Sequence, residues 1–206
     1  LYHAVDIAKE SADIILLEKD LNVLIDGVEE GRKTFANLMK YIKLTSSLNF
    51  GEVLAVMVAS LAVPFLPETP IQLLFEGMLY DLGQMTLPFD NVDKNIIKRP
   101  KKLDIKSLKR FMFFMGPISA VFNLLVFVAL WFLFKVRDAS TYQTIWFCYS
   151  IVANLLGMHI IRTAKIPFIQ SNANKVVYIS SFSLILIALI LPFTPLGALI
   201  GLIPKL

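Results

Sequence analysis

Two apolar stretches near the middle of the chain carry acids and amides. Leu44–Pro67 reads LTSSLNFGEVLAVMVASLAVPFLP and holds Asn49 and Glu52; Ile71–Phe89 reads IQLLFEGMLYDLGQMTLPF and holds Glu76, Asp81 and Gln84. An ionisable side chain at membrane depth costs about 2.5–3.5 kcal/mol on insertion scales, so one that persists there marks a candidate for function. Oxygen-bearing side chains on neighbouring membrane helices suit a hard cation, and Mg²⁺ keeps enough of its own waters that one or two carboxylates suffice. Asn49 and Glu52 lie three residues apart and share a helical face. Gly77 and Asp81 are four apart, as are Tyr80 and Gln84. A glycine one turn from an acid permits close helix approach, or local unwinding that frees backbone carbonyls as further ligands. The candidate metal ligands are therefore Asn49, Glu52 and Asp81. Glu76 faces another side of its helix from Asp81, and helix-to-helix hydrogen bonding is an open alternative for all of these groups.

The elements that position them follow from composition. Of 206 residues, 56% are hydrophobic and only 17% charged, with the apolar residues bunched into runs of membrane-spanning length. The net charge of +4 does not point to nucleic acid, because Lys and Arg gather between the apolar runs, as in cytoplasmic loops of membrane proteins. The single cysteine, Cys148, excludes an intrachain disulfide framework and a cysteine-rich metal site. The expected class is an all-α polytopic membrane protein with about five spans, near 44–67, 71–89, 111–134, 142–161 and 176–191. The final stretch, PFTPLGALIGLIPKL, reads as an irregular tail.

Residues 1–33 look different: mixed, charged and unlike a signal peptide. AVDIAKESA has helical character, DIILLE reads as a short buried strand, and Leu21, Leu24, Ile25 and Val28 follow helical spacing. Thirty-odd residues bury little core alone, so this piece is expected to be the tail of a larger α/β domain. From Glu29 the pattern runs unbroken into the first apolar stretch, as a stalk helix would, which places a domain boundary between 1–33 and 34–206. Asp90–Arg110 carries eight Lys or Arg residues and is the strongest topological marker. By the same rule residues 1–43, 90–110 and 162–175 share the cytoplasmic side. Asn123 and Asn154 read as packing amides, and His159, beside Arg162, as an interfacial anchor.

The run VDIAKESADIILLEKDLNVLIDGVEEGRKTFANLMKYIKLTSSLNFGEV resembles the end of the phosphorylation domain and the fifth membrane helix of P-type cation ATPases. PIQLLFEGMLYDLGQMTLPFDNVD resembles their sixth helix; YDLGQMTLPFDNVD, RFMFFMGPIS and IIRTAKIPFIQS look most like the bacterial magnesium-transporting branch. The resemblance implies that Asn49 and Asp81 stand at cation-site positions, and that Glu52 matches an acid used by calcium pumps. Gly77 stands where the family usually has asparagine, and Glu76 where an amide is commoner. A calcium or other divalent-cation pump is thus the alternative; a channel or secondary transporter would have no use for the soluble N-terminal segment.

DKTGT, the family's phosphorylation motif, and GDGxND, its magnesium-binding motif, do not occur in the chain. The resemblance therefore implies a C-terminal piece of a pump, with catalysis in the complete protein. Mg²⁺ is the implied transported ion, while ATP and a catalytic Mg²⁺ belong to the complete protein. The implied partners are the lipid bilayer and the rest of the pump: actuator, nucleotide and phosphorylation domains and helices one to four. No nucleic-acid partner is expected, and the implied location is a bacterial inner membrane.

Overall fold

The first proline of the chain is Pro64, and one uninterrupted helix forms before it. The computed structural model describes residues 9–13, 15 and 20–203. Helix α1, Leu21–Ser60, starts at Asp20, whose side chain accepts from the Asn22 amide at 2.9 Å. Its 40 residues span about 60 Å at 1.5 Å per residue. The strand read at DIILLE lies, apart from Asp13 and Ile15, outside the described residues, as does most of AVDIAKESA.

Three prolines (Pro64, Pro67 and Pro70) then forbid helix continuation, so α1 stops at Ser60 rather than running to 67. Helix α2, Pro70–Gln84, opens with a capping box between Thr69 and Gln72. The short helix α3, Lys94–Ile97, follows a 3₁₀ turn at Leu87–Phe89. Helix α4, Ile105–Val128, ends in a π-turn at Ala129–Leu133. Helices α5, Ala139–Ile161, and α6, Lys175–Ile190, complete the long elements.

Four of these helices, α1, α4, α5 and α6, are long and apolar enough to cross a membrane. The expected second span is instead the 15-residue α2, about 22 Å long against a hydrocarbon core of about 30 Å. Pro88 supplies no amide donor to the Gln84 carbonyl, so the α-helical pattern of α2 cannot run on through it and gives way to the 3₁₀ turn.

The residues after α6 are not a loose tail. A 3₁₀ turn at Leu191–Phe193 leads into the short helix α7, Pro195–Leu199, capped by Thr194 Oγ1 accepting from the Gly197 amide at 3.1 Å. Leu202 is fully buried, and the Ile203 amide donates to Thr144 Oγ1 at 3.1 Å. Local capping by threonine thus folds the segment back onto the bundle.

Glycines set the tightest helix approach. A Cβ at Gly51 on α1 would lie 2.6 Å from the Gly116 carbonyl oxygen and 2.8 Å from Ser119 Cβ on α4. On α2 the close approach is at Gly83, where a Cβ would meet Leu155 Cδ2 at 2.6 Å. Gly77 stays helical with nothing within 4 Å of such a Cβ, so neither close approach nor unwinding occurs there. One apolar core joins Leu44 and Leu48 to Tyr80, Phe147, Ile151 and Leu155; a second joins Ala55 and Ala59 to Ala120, Phe127, Tyr142 and Trp146.

Candidate cation site

Glu52 lies on α1 between the two cores. Its neighbours Leu48 and Ala55 are buried one turn to either side, which forces the carboxylate inward. Three elements supply donors to it. Asn123 Nδ2 on α4 donates to Oε2 at 2.7 Å, while Trp146 Nε1 and Ser150 Oγ on α5 donate to Oε1 at 3.3 and 3.4 Å.

Two further acids converge on it. Glu76, on the inward face of α2, accepts from Asn154 Nδ2 at 3.0 Å through Oε1. Glu68 comes from the proline-bounded connection between α1 and α2. That connection is pinned by Gln143 Nε2 donating to the Leu66 carbonyl at 2.8 Å, and by Gln72 Nε2 donating to the Ile200 carbonyl at 3.2 Å. One carboxylate oxygen of each of Glu52, Glu68 and Glu76 lies within 4.8 Å of the others. The three residues are 8%, 3% and 5% exposed. Both oxygens of Glu68 and Oε2 of Glu76 are buried without a hydrogen-bond partner. Burial pushes the Glu68 carboxyl up to about 7. Arranged this way, the cluster presents unshared oxygen lone pairs to a common point, the chemistry a hard cation uses.

Asn49 and Asp81 are placed elsewhere. Both are exposed, on a side of α1 and α2 that also exposes Val53, Met57, Leu74 and Met78. Among the described residues no hydrogen bond links either to Glu52. Asp81 Oδ1 accepts from Gln84 Nε2 at 3.5 Å, and Gln84 Oε1 accepts from Thr45 Oγ1 at 2.5 Å. Asp81 and Gln84 line a cavity of about 560 Å³ with Thr34, Asn37, Tyr41 and Pro88.

Sequence reasoning left Glu76 open between a cation ligand and helix packing, gave Asn123 and Asn154 packing roles, and passed over Glu68. The available signal for Glu68 was an acid in a turn, PFLPETP, with no basic residue beside it. The two amides do pack helix against helix, but by donating to carboxylates.

A second buried acid has the opposite surroundings. Asp90 Oδ2 accepts from Lys40 Nζ at 2.6 Å and Arg162 Nε at 2.8 Å, and its Oδ1 accepts from the Asn174 amide at 3.2 Å. Asn37 Nδ2 donates to the carbonyls of Pro88 and Asp90, both at 3.0 Å. Burial raises the Asp90 pKa, but hydrogen bonds from Arg162 and Lys40 and their positive charges outweigh it, leaving the carboxyl below its ordinary value. Three segments placed on one side by their basic residues therefore meet at this acid. His159 is not an interfacial anchor: it is 1% exposed, shares a 2.8 Å hydrogen bond with Ser181 Oγ, and stacks on Tyr178 at 5.1 Å. Arg162, one turn on, turns inward because Asp90 is there to receive it.

Comparison with known proteins gives this geometry a context. A family model described as "Cation transporting ATPase, C-terminus" matches residues 65–205. The chain is 46% identical over 204 residues to a "Magnesium-transporting ATPase, P-type 1" of Salmonella typhimurium, covering 98% of this chain and 22% of that protein. It is 48% identical over 198 residues to the protein of that name in Escherichia coli, covering 95% and 22%. A "Calcium-transporting ATPase" of Bacillus subtilis is 26% identical over 204 residues, covering 93% and 22%. The chain thus spans about a fifth of the length of these curated relatives.

Proposed function

Because the chain belongs to the P-type cation-transporting ATPases, matching their C-terminal part, we propose that it is membrane-domain machinery of an ATP-driven magnesium transporter. The observation that carries this reading is the near end-to-end similarity to magnesium-transporting relatives. In this reading residues 1–33 finish a phosphorylation domain and 34–206 form the membrane domain, in a bacterial inner membrane. The remaining domains and helices of the pump would supply the ATP site and its catalytic Mg²⁺. Asn49, Asp81 and Glu52 would contribute oxygens to the path of the transported Mg²⁺. Asn49 and Asp81 face outward beside apolar side chains, which suits contact with further helices of the same pump.

Coupling follows from α1. A single 40-residue helix carries both the exposed segment near Gly27 and the acid Glu52, so a movement imposed at one end is transmitted as a rigid body. Lys40, between them, ties this helix to Asp90.

The test uses the complete polypeptide reconstituted in lipid. ATP hydrolysis is measured against added Mg²⁺, Ca²⁺ and Mn²⁺, with enough Mg²⁺ for the nucleotide, in wild type and Asp81→Asn. Saturable Mg²⁺-selective stimulation that Asp81→Asn removes is the expected result; stimulation unchanged in the variant contradicts the assignment. One observation favours a second reading: the acid at Glu52, which suits a calcium pump. Ca²⁺-selective stimulation would establish it.

A further inference from the structure

We propose that Glu52, Glu68 and Glu76 form a divalent-cation site that shares Glu52 with the transport path but lies apart from the face that carries Asn49 and Asp81. The three acids come from α1, the α1–α2 connection and α2, so the chain brings them together only by folding. Each is more than nine-tenths buried, and one oxygen of each lies within 4.8 Å of the other two. Among the described residues no lysine, arginine or histidine forms an ion pair with any of them. Three carboxylates this close in a low-dielectric interior need a cation or protons, because their mutual repulsion has no other compensation.

The hydrogen bonds fix which oxygens face inward. Asn123, Trp146, Ser150 and Asn154 all donate to Glu52 and Glu76 from the outside, an arrangement that fixes the orientation of the two carboxyls. The oxygens left without donors are both of Glu68 and Oε2 of Glu76. Glu68 is the further sign of a ligand: a carboxyl 3% exposed, aimed at the other two acids, with neither oxygen accepting from a neutral donor. Oxygen ligands of this kind suit Mg²⁺, Ca²⁺ and Mn²⁺ rather than softer metals.

The proposal extends the transport reading without depending on which ion the pump carries. The test counts Mn²⁺ bound to the complete, nucleotide-free pump in detergent by electron paramagnetic resonance. Glu68→Gln and Glu76→Gln are each expected to lose one ion, or to weaken it by at least about ten-fold, while Asp81→Asn retains that ion. Unchanged unfolding midpoints without metal show that the variants fold. Equal Mn²⁺ binding in wild type and both glutamine variants would overturn the proposal. So would a protonated-carboxyl infrared band that persists at saturating Mn²⁺ and vanishes in Glu68→Gln, which would assign the cluster to protons. Failure of Mg²⁺-stimulated hydrolysis in Asp81→Asn with the Mn²⁺ count intact would concern the transport path and leave this site standing.

Discussion

Asp90 and the Glu52–Glu68–Glu76 cluster are both buried acid sites, and they are built in opposite ways. Asp90 is one carboxylate facing two cations and a backbone amide, with its lone pairs taken. The cluster is three carboxylates facing neutral donors, with three oxygens untaken. A buried charge with its counter-charge supplied by the chain holds elements together. A buried charge without one leaves a place for something the chain does not supply. Burial alone therefore does not distinguish structure from function; the inventory of partners does.

The largest effect expected from this contrast is at the paired acid. Asp90→Asn leaves Lys40 and Arg162 buried beside a neutral amide, and removing one partner of a buried pair costs about 3–5 kcal/mol. Denaturant unfolding in detergent checks this, and a loss under 1 kcal/mol, roughly that of an exposed pair, would break the contrast. Next comes the helix approach that places Glu52. Gly51→Ala drives a methyl to 2.6 Å from a backbone oxygen of α4, which cannot swing aside, so about 1–3 kcal/mol should be lost. Gly77→Ala, with open space around it, should instead gain about 0.5–1 kcal/mol through reduced backbone entropy of the unfolded chain. Both are read from the same unfolding curves.

The unpaired cluster should behave in the reverse sense to Asp90. Glu52→Gln removes a buried charge, and the Asn123 amide can rotate to present its oxygen, so stability without metal should change by no more than about 1 kcal/mol. The smallest effect is on the acid limb. Because the folded Asp90 carboxyl lies below its ordinary value, its contribution is fully present above the unfolded carboxylate pKa of about 4 and is lost as pH falls through the folded value. Asp90→Asn should flatten that limb in an acid titration of unfolding.

Much of the frame was legible because continuous apolar runs leave a backbone few choices in a bilayer: α4, α5 and α6 lie close to where hydropathy put them. The ends of elements were less so. Pro64 and Pro88 decided where α1 and α2 give way, and hydropathy does not register proline geometry. Glu52 was legible as an acid inside an apolar helix. Glu68 was not, since a turn acid belongs to no periodic face and its burial depends on Gln72 and Gln143, the second of which is distant in sequence. His159 and Arg162 looked interfacial from their position at a span end; the acid that draws Arg162 inward lies 72 residues away.

On the proposal above, the unpaired acids await an ion and the paired one does not. The most direct test is the Mg²⁺ dependence of the unfolding midpoint of the complete protein in detergent, for wild type, Glu68→Gln, Asp81→Asn and Asp90→Asn. An ion present at a hundred times its dissociation constant stabilises the folded state by about 2.7 kcal/mol. Asp90→Asn should start lower but keep the full Mg²⁺-dependent rise, Asp81→Asn should retain the part contributed by the cluster, and Glu68→Gln should start near wild type and lose that part. A Glu68→Gln rise equal to that of wild type would contradict the proposal.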